Sequence, residues 1–134
     1  MRWMLDTNIC IYLLRRHPPQ VIAQLELRRE GDVVMSVVTY AELRAGLEMQ
    51  AANRAHDEQV LALLIQRIPA LPFDAAAAVH YGQLGAAVRG RGRDALDRMI
   101  AAHAVSVGAT LVTNNEADFE GYPGLALENW ALEA

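Results

Sequence analysis

The sequence contains no lysine, so all 12 of its basic residues are arginine. This absence excludes mechanisms that depend on a lysine side chain, including a P-loop that binds nucleotides, a Schiff-base enzyme and a receiver-type phosphorylation site. The 16 acidic residues outnumber the arginines and give a formal net charge of −4. Because nucleic-acid-binding proteins usually carry a basic surface, this charge by itself argues against nucleic acid as a partner.

Cysteine and long apolar segments are also scarce. Cys10 is the single cysteine, so no disulfide can form within the chain, and its apolar neighbours predict a core position. The longest segment without Asp, Glu or Arg, Met99–Asn115, contains His103, Gly108 and two asparagines and does not predict a membrane span. No secretory signal is recognisable at the start. These features predict a cytoplasmic protein with no membrane association.

Short apolar segments alternate with longer amphipathic ones, which predicts an α/β domain with a largely parallel sheet. The 134 residues contain no repeat or linker and fit a single domain over residues 1–134. Ser36, Asn53 and Asp74 precede helical patterns as candidate N-caps. Strands are predicted at Trp3–Leu5, Val33–Met35, Leu71–Phe73, Ala109–Thr113 and Leu125–Trp130.

Four acids follow the predicted strands or lie in the helices beside them. Asp6 directly ends the first strand, and Glu42 lies about two turns into the helix after the second. Asp97 is near the start of an apolar helix, and Asp118 follows the Ala109–Thr113 strand. Because ligands bind outside the carboxyl ends of strands in open α/β sheets, all four carboxylates are predicted to meet at one sheet edge.

Such a group of acids predicts a metal site. Two carboxylates about 4 Å apart repel by roughly 4 kcal/mol at an effective dielectric constant of 20, so converging carboxylates require protonation or a cation. Oxygen ligands without a Cys or His cluster favour Mg²⁺ or Mn²⁺ over Zn²⁺. A divalent cation held in this way suits phosphoryl chemistry.

Each acid also has a structural explanation. Asp6 is well placed to cap the helix that begins near Asn8, and Glu42 to pair with Arg44. An acid at the position of Asp97 is favoured by the helix dipole, and Asp118 follows two asparagines, as turn residues do. The order of the four acids along the predicted fold is what favours the functional interpretation.

Four segments of the sequence resemble the signature blocks of PIN-domain ribonucleases, most closely the VapC-type toxins of bacterial toxin–antitoxin modules. The blocks are Leu5–Asn8, Ser36–Gly46, Asp97–Ala104 and Gly108–Asn115, and the ending from Phe119 to Trp130 is also similar. The resemblance covers essentially the whole chain.

The resemblance implies a three-layer α/β/α PIN-like domain with a central, mostly parallel sheet of four to five strands. It also implies an endoribonuclease that depends on Mg²⁺, with Mn²⁺ as a substitute, and cuts tRNA or rRNA and so inhibits translation. The partners it implies are a second copy of the chain and a cognate VapB-like antitoxin that covers the acidic site.

The resemblance assigns roles to individual residues. Asp6, Glu42 and Asp97 fall on the metal-binding acids of the family, and Asp118 falls on a more variable fourth acid. Asn115 and Asp94 remain alternatives for that fourth position. The polar residues that orient carboxylates or water in such sites are Thr7, Asn8, Ser36, Thr113 and Asn115.

The chain departs from the family just before Asp97, where it has the segment Arg89-Gly90-Arg91-Gly92-Arg93. Glycines let a backbone approach phosphates and guanidinium groups pair with phosphate oxygens, so Arg89, Arg91 and Arg93 are predicted to bind RNA. A solvated helix connection is the alternative. Apart from the four candidate site acids, the acids and arginines are equal in number. The net charge is therefore compatible with RNA as substrate.

Two other classes of function fit the same pattern. A phosphatase or phosphotransferase could use Asp6 as a covalent nucleophile, although such folds usually need a second acid where this chain has Asn8, and a lysine. A non-catalytic PIN-like interaction domain is the other alternative, and the four acids in order argue against it.

Overall fold

A computed structural model of the protein describes residues 1–50, 52–89 and 94–133. Within this part of the chain five strands and six α-helices alternate along the sequence. The strands are β1 (Trp3–Leu5), β2 (Val33–Ser36), β3 (Ala70–Leu71), β4 (Thr110–Val112) and β5 (Leu127–Glu128). The helices are α1 (Thr7–Arg15), α2 (Pro19–Glu26), α3 (Val37–Glu48), α4 (Arg54–Arg67), α5 (Ala75–Ala87) and α6 (Ala95–Ser106), and a 3-10 helix covers Glu116–Phe119.

The strands form one sheet in the order β3-β2-β1-β4-β5, and every pair of neighbours is parallel. The prediction of an α/β domain with four to five mostly parallel strands is therefore confirmed. The chain first builds outward from β1 through β2 to β3, then crosses back to place β4 on the other side of β1. The strand order reverses between β1 and β4, and such a reversal leaves a crevice at the carboxyl ends of the two strands.

Helices cover both faces of the sheet, as a parallel sheet requires. On one face Met4, Val34 and Leu111 pack with α5 and α6 through buried residues such as Leu84 and Ile100. On the other face the alternate strand residues pack with α1, α2 and α4, and α3 contributes to both cores. This is the three-layer α/β/α arrangement that the resemblance implied.

Caps and breaks place several helix ends where they were predicted. Ser36 and Asp74 accept hydrogen bonds from the backbone N–H groups of the helices they precede. Asn53 occupies the N-cap position of α4, as predicted, but its side chain makes no capping hydrogen bond. The β3 strand ends at Leu71 because Pro72 has no N–H to continue the ladder.

No helix within the described residues is both long enough and apolar enough to cross a membrane. Cys10 is buried on α1, as predicted, and burial raises the pKa of its thiol. His103 is also buried, on α6, where its Nδ1 lies 2.7 Å from the Ser36 hydroxyl. Both side chains belong to the core, in agreement with the sequence interpretation.

Candidate active site

Asp6 is the most buried of the candidate acids and stands at the carboxyl end of the central strand. Its Oδ1 accepts a hydrogen bond of 3.0 Å from the Ile9 N–H and so caps α1. The side chain of Thr113, at the end of the neighbouring strand β4, donates a second hydrogen bond to it. The cap proposed from sequence is thus present, but it leaves a nearly buried carboxylate beside the crevice between β1 and β4.

Burial raises the pKa of Asp6 from 3.8 to about 6, although the hydrogen bonds from Thr113 and Ile9 lower it. The negative charges of Asp97 and Glu42 raise it further. A single capping aspartate would gain from its hydrogen bonds and keep a low pKa. Burial is the main cause of the raised pKa, and the smaller effects of Asp97 and Glu42 indicate that their charges act on Asp6 from two other helices.

Glu42 lies half-buried on α3, and its orientation is set by α1. The Thr7 hydroxyl donates a hydrogen bond of 2.6 Å to Glu42 Oε1. The alternative ion pair between Glu42 and Arg44 is not formed, since Arg44 pairs with Glu48 and Glu58 instead. Among the described residues, Glu42 has no salt bridge to any basic side chain.

Asp97 lies in the first turn of α6 and Asp118 in the 3-10 helix that follows β4. Burial raises the pKa of Asp97, and the charges of Asp118, Glu42 and Asp94 raise it further, in that order of importance. Asp97 is half-buried, whereas Asp118 is exposed. The charges of Asp118 and Glu42 thus act on Asp97, and those of Asp97 and Glu42 act on Asp6.

The four acids fit a divalent cation in their chemistry but are not preformed around one. Their donors are oxygens, their charges repel, and burial disfavours ionisation of at least Asp6 and Asp97. A cation relieves both costs, and hard oxygen donors suit Mg²⁺ or Mn²⁺. Over residues 1–50, 52–89 and 94–133, however, no three acidic, His or Cys side chains are close enough to hold an ion together.

The predicted supporting residues divide into two groups. Thr7 and Thr113 donate hydrogen bonds directly to site carboxylates. Ser36 instead caps α3 through the Val38 N–H at 3.1 Å and contacts His103. Through these two contacts Ser36 links α3, which carries Glu42, to α6, which carries Asp97. It makes no bond to either carboxylate.

Asparagines on α1 and after β4 form a set of hydrogen bonds at the carboxyl ends of β1 and β4. Asn8 Nδ2 donates a hydrogen bond of 3.4 Å to Asn114 Oδ1, and Asn114 Nδ2 donates one of 2.9 Å to the Tyr12 hydroxyl. The exposed Asn115 contributes its backbone N–H to Thr113 Oγ1 at 3.0 Å. Sequence reasoning missed Asn114 and Tyr12. The one available signal was the position of Asn114 directly after Thr113, at the exit of a strand.

Thr39 was also missed. It is fully buried on α3, one turn before Glu42, with its hydroxyl 3.5 Å from that of Thr7. A spacing of three residues on a helix places two side chains on the same face, so the sequence contained this signal.

Asp94 was left open as a fourth metal ligand, but its carboxylate is already engaged. It accepts hydrogen bonds from the Arg98 guanidinium and from the Tyr122 hydroxyl. This leaves Asp118 and Asn115 as the candidates that face the solvent. Of the predicted RNA-binding arginines, Arg89 is exposed at the end of α5, whereas Arg91 and Arg93 lie outside the described residues.

Most of the chain is similar to proteins of a known family. Residues 3–125 match the family described as PIN domain. The tRNA(fMet)-specific endonuclease VapC of Shigella flexneri is 40% identical over 136 residues, with 98% of this chain and 99% of that protein covered.

Solved structures agree with this match. VapBC-1 from nontypeable Haemophilus influenzae has a chain with 32% identity and a TM-score of 0.88, covering 98% of this chain and 100% of that one. VapBC-5 from Mycobacterium tuberculosis, a member of the VapBC family of toxin–antitoxin systems, gives 28% identity and a TM-score of 0.71, with 96% and 98% covered.

Proposed function

The chain belongs to the PIN-domain family, and we propose that it is a metal-dependent endoribonuclease that acts as the toxin of a toxin–antitoxin pair. The observation that carries this proposal is the coupling of Asp6, Glu42, Asp97 and Asp118 at the carboxyl edge of the sheet. The ribonuclease activity is supported by the VapC relatives, which match this chain over nearly its whole length.

In this proposal Asp6, Glu42 and Asp97 hold a Mg²⁺ or Mn²⁺ ion, and Asp118 completes the site or holds a second ion. When bound, the cation lowers the pKa of a water molecule and offsets negative charge on the phosphate. Thr113 and the Ile9 N–H fix the carboxylate of Asp6, and Thr7 fixes that of Glu42. Such support matters because carboxylates that ligate metals need partners that orient them.

The proposed reaction is hydrolysis of an RNA phosphodiester. Water attacks phosphorus in line with the leaving 3′-oxygen, so the products carry a 5′-phosphate and a 3′-hydroxyl. No histidine base is needed: His103, whose pKa is lowered mainly by burial, is packed in the core behind the site.

The substrate class is tRNA or rRNA, and its cleavage would inhibit translation in the cytoplasm. The Shigella flexneri relative is a tRNA(fMet)-specific endonuclease, which favours tRNA as the first substrate to test. In the sequence, Arg89, Arg91 and Arg93 directly precede α6, and positive charge of this kind favours binding of a polyanion.

The proposed partner is a VapB-like antitoxin, and the proposed assembly includes a homodimer. A groove of about 380 Å³ runs between α1, α3 and α4 and reaches Glu42. Ile11, Leu43 and Leu61 give it an apolar lining, with Arg15 among its polar residues. An antitoxin segment that filled this groove would contact Glu42, one of the four site acids.

The decisive experiment incubates the purified chain with total RNA and Mg²⁺ or Mn²⁺ and maps the ends of the fragments. Asp6→Asn is expected to reduce cleavage on the order of a thousandfold, about 4 kcal/mol of transition-state stabilisation, and EDTA to abolish it. Asp74→Asn is a matched control, because Asp74 caps α5 with the same 3.0 Å geometry and lies outside the site. It should cleave as the wild type does.

Cleavage that survives both EDTA and Asp6→Asn would refute the proposal. A stable aspartyl-phosphate on Asp6 would favour the phosphatase alternative. Absence of cleavage with every RNA and metal tested would favour the non-catalytic interaction domain.

A further inference from the structure

The N-terminus of α6 has an unusual cap. Asp94 occupies the N-cap position, with φ −115° and ψ 27°, but its side chain makes no hydrogen bond to the helix N–H groups. Asp6 and Asp74, at equivalent positions of α1 and α5, both make that bond at 3.0 Å. The carboxylate of Asp94 is therefore used for something other than a helix cap.

Its two oxygens contact residues from two different segments. Oδ1 accepts a hydrogen bond of 2.7 Å from Nη2 of Arg98, one turn further along α6. Oδ2 accepts one of 2.8 Å from the hydroxyl of Tyr122, three residues after the end of the 3-10 helix. Arg98 and Asp94 are only 15% and 14% exposed, so this ion pair is largely shielded from water.

The guanidinium of Arg98 is held from the side of α5 as well. It lies 5.6 Å from the ring centre of Tyr81, and its Nε lies 3.4 Å from the Tyr122 hydroxyl. Gly85 leaves room for it, because a Cβ at that position would lie 3.3 Å from Arg98 Nη1. Arg98 thus fills a space between α5, α6 and the segment after the 3-10 helix.

Two candidate metal-binding acids stand on the elements that this contact joins. Asp97 precedes Arg98 in the first turns of α6, and Asp118 lies in the 3-10 helix just before Tyr122. The charge of Asp118 is the strongest electrostatic influence of another residue on Asp97. The two carboxylates repel, so without a tie their supporting elements would tend to separate.

We propose that Asp94, Arg98 and Tyr122 form a positioning cluster that holds Asp97 next to Asp118 and so sets the affinity of the site for a divalent cation. The inference rests on the proposed function, because it needs the acids to bind metal. Because Arg98 and Tyr122 engage the carboxylate of Asp94, the proposal assigns none of the three residues the role of a metal ligand. They act through the placement of α6 and the 3-10 helix, as outer partners of metal ligands do elsewhere.

A second arginine cluster provides a matched control. Arg28 is 14% exposed, pairs with Glu128 at 3.2 Å and lies 4.7 Å from the ring centres of both Trp3 and Trp130. It resembles Arg98 in burial and in its aromatic contacts but touches none of the four acids. Arg28→Lys therefore reports the cost to stability of losing a shielded guanidinium pair.

The test measures Mn²⁺ binding to the metal-free protein by electron paramagnetic resonance, and Tm in EDTA, for wild type, Tyr122→Phe, Arg98→Lys and Arg28→Lys. Tyr122→Phe and Arg98→Lys are expected to weaken Mn²⁺ binding about 10-fold or more, within the range seen for outer partners of metal ligands. Arg28→Lys is expected to lower Tm while leaving Mn²⁺ affinity at the wild-type value. Wild-type affinity in both Tyr122→Phe and Arg98→Lys would overturn the inference.

Two further variants separate the possible failures. Gly85→Ala shifts the guanidinium of Arg98 by a few tenths of an ångström without removing any polar group, and it is expected to weaken Mn²⁺ binding less than Arg98→Lys does. It keeps the inference testable where the larger changes prevent folding. Asp97→Asn should lose Mn²⁺ binding outright. If wild type and Asp97→Asn bind Mn²⁺ equally, the metal site itself is wrong, and the proposed function fails together with the inference.

Discussion

Asp6 and Glu128 are acids on the same sheet with opposite surroundings. Leu5, Val112 and Glu128 lie in one row across β1, β4 and β5, and Asp6 follows Leu5 directly. Glu128 accepts hydrogen bonds from Trp3 Nε1, Trp130 Nε1 and Arg28 and forms an ion pair with Arg28. Asp6 receives hydrogen bonds from Ile9 and Thr113, but its charged neighbours are Asp97 and Glu42.

Glu128 is an acid that stabilises the fold, whereas the ionised carboxylate of Asp6 lowers the free energy of unfolding. The charge of Glu128 is compensated within the protein by an arginine placed between two tryptophans. The charge of Asp6 is nearly buried and faces other negative charges, so its raised pKa measures a cost of folding. Sites that keep such a cost are candidates for function, because a ligand can relieve it.

The largest effect on stability is expected from Asp6→Asn, and it depends on pH. Below pH 3.8 Asp6 is protonated in both the folded and unfolded states and costs nothing. Between pH 3.8 and about 6 the unfolded state ionises first, so the cost grows, and above about 6 it is fully present. At about 1.4 kcal/mol for each pKa unit, removing the charge should stabilise the fold by up to about 3 kcal/mol at pH 8 and by little at pH 3.5.

Urea unfolding of wild type and Asp6→Asn in EDTA at the two pH values measures this difference. Asparagine retains an oxygen that can accept the Ile9 N–H, so the cap is preserved. Mg²⁺ at pH 8 should recover part of the same free energy in wild type only. Equal stability of the two proteins at pH 8 would show that Asp6 carries no folding cost.

A smaller and opposite effect is expected from Glu128→Gln. The change removes the charge that faces Arg28, and it should lower the free energy of unfolding by about 1 kcal/mol, since the Glu128 side chain is 39% exposed and partly screened. Cleavage for each folded molecule should equal that of wild type. Urea unfolding and RNA cleavage, measured on one preparation, test the two expectations. Lost cleavage with unchanged stability would show that Glu128 serves the reaction and not the fold.

The smallest effect is expected from Arg89→Gln, at the exposed end of α5. If Arg89 contacts one RNA phosphate, its removal should weaken binding a few-fold and reduce the slope of log K against log salt by roughly 0.7. RNA binding is measured for Asp6→Asn with and without Arg89→Gln, so that RNA is bound without being cut. An unchanged slope would remove Arg89 from the proposed RNA contact and leave the solvated connection as its role.

Much of the fold followed from local patterns. The β1 strand ends at the predicted residue, and α3 and α5 begin directly after Ser36 and Asp74. These features were predictable because apolar alternation, caps and prolines act over a few residues. The N-cap position of Asn53 was predictable, but the absence of its side-chain bond was not, because that bond needs an extended backbone and the φ of −121° and ψ of 27° there are not extended.

The candidate site was partly predictable for the same reason. Asp6 directly follows an apolar strand, and this local position was enough to single it out as a candidate site residue. The contact of Asp94 with Tyr122 had no such signal, because the two residues lie 28 positions apart, whereas its pair with Arg98 has a local helical spacing of four residues. Asn114 was likewise overlooked, since its contact with Tyr12 spans 102 residues.

The sequence by itself determined which segments form strands and helices and which acids follow them, because each of those properties depends on neighbours within a turn or two. Only the tertiary structure decided that β4 lies beside β1, which opens the crevice next to Asp6 and Thr113. It also decided that the Tyr122 hydroxyl bonds to Asp94 and that the charges of Asp118 and Glu42 act on Asp97. These choices depend on how helices pack on the two faces of the sheet, and that packing joins residues far apart in the chain.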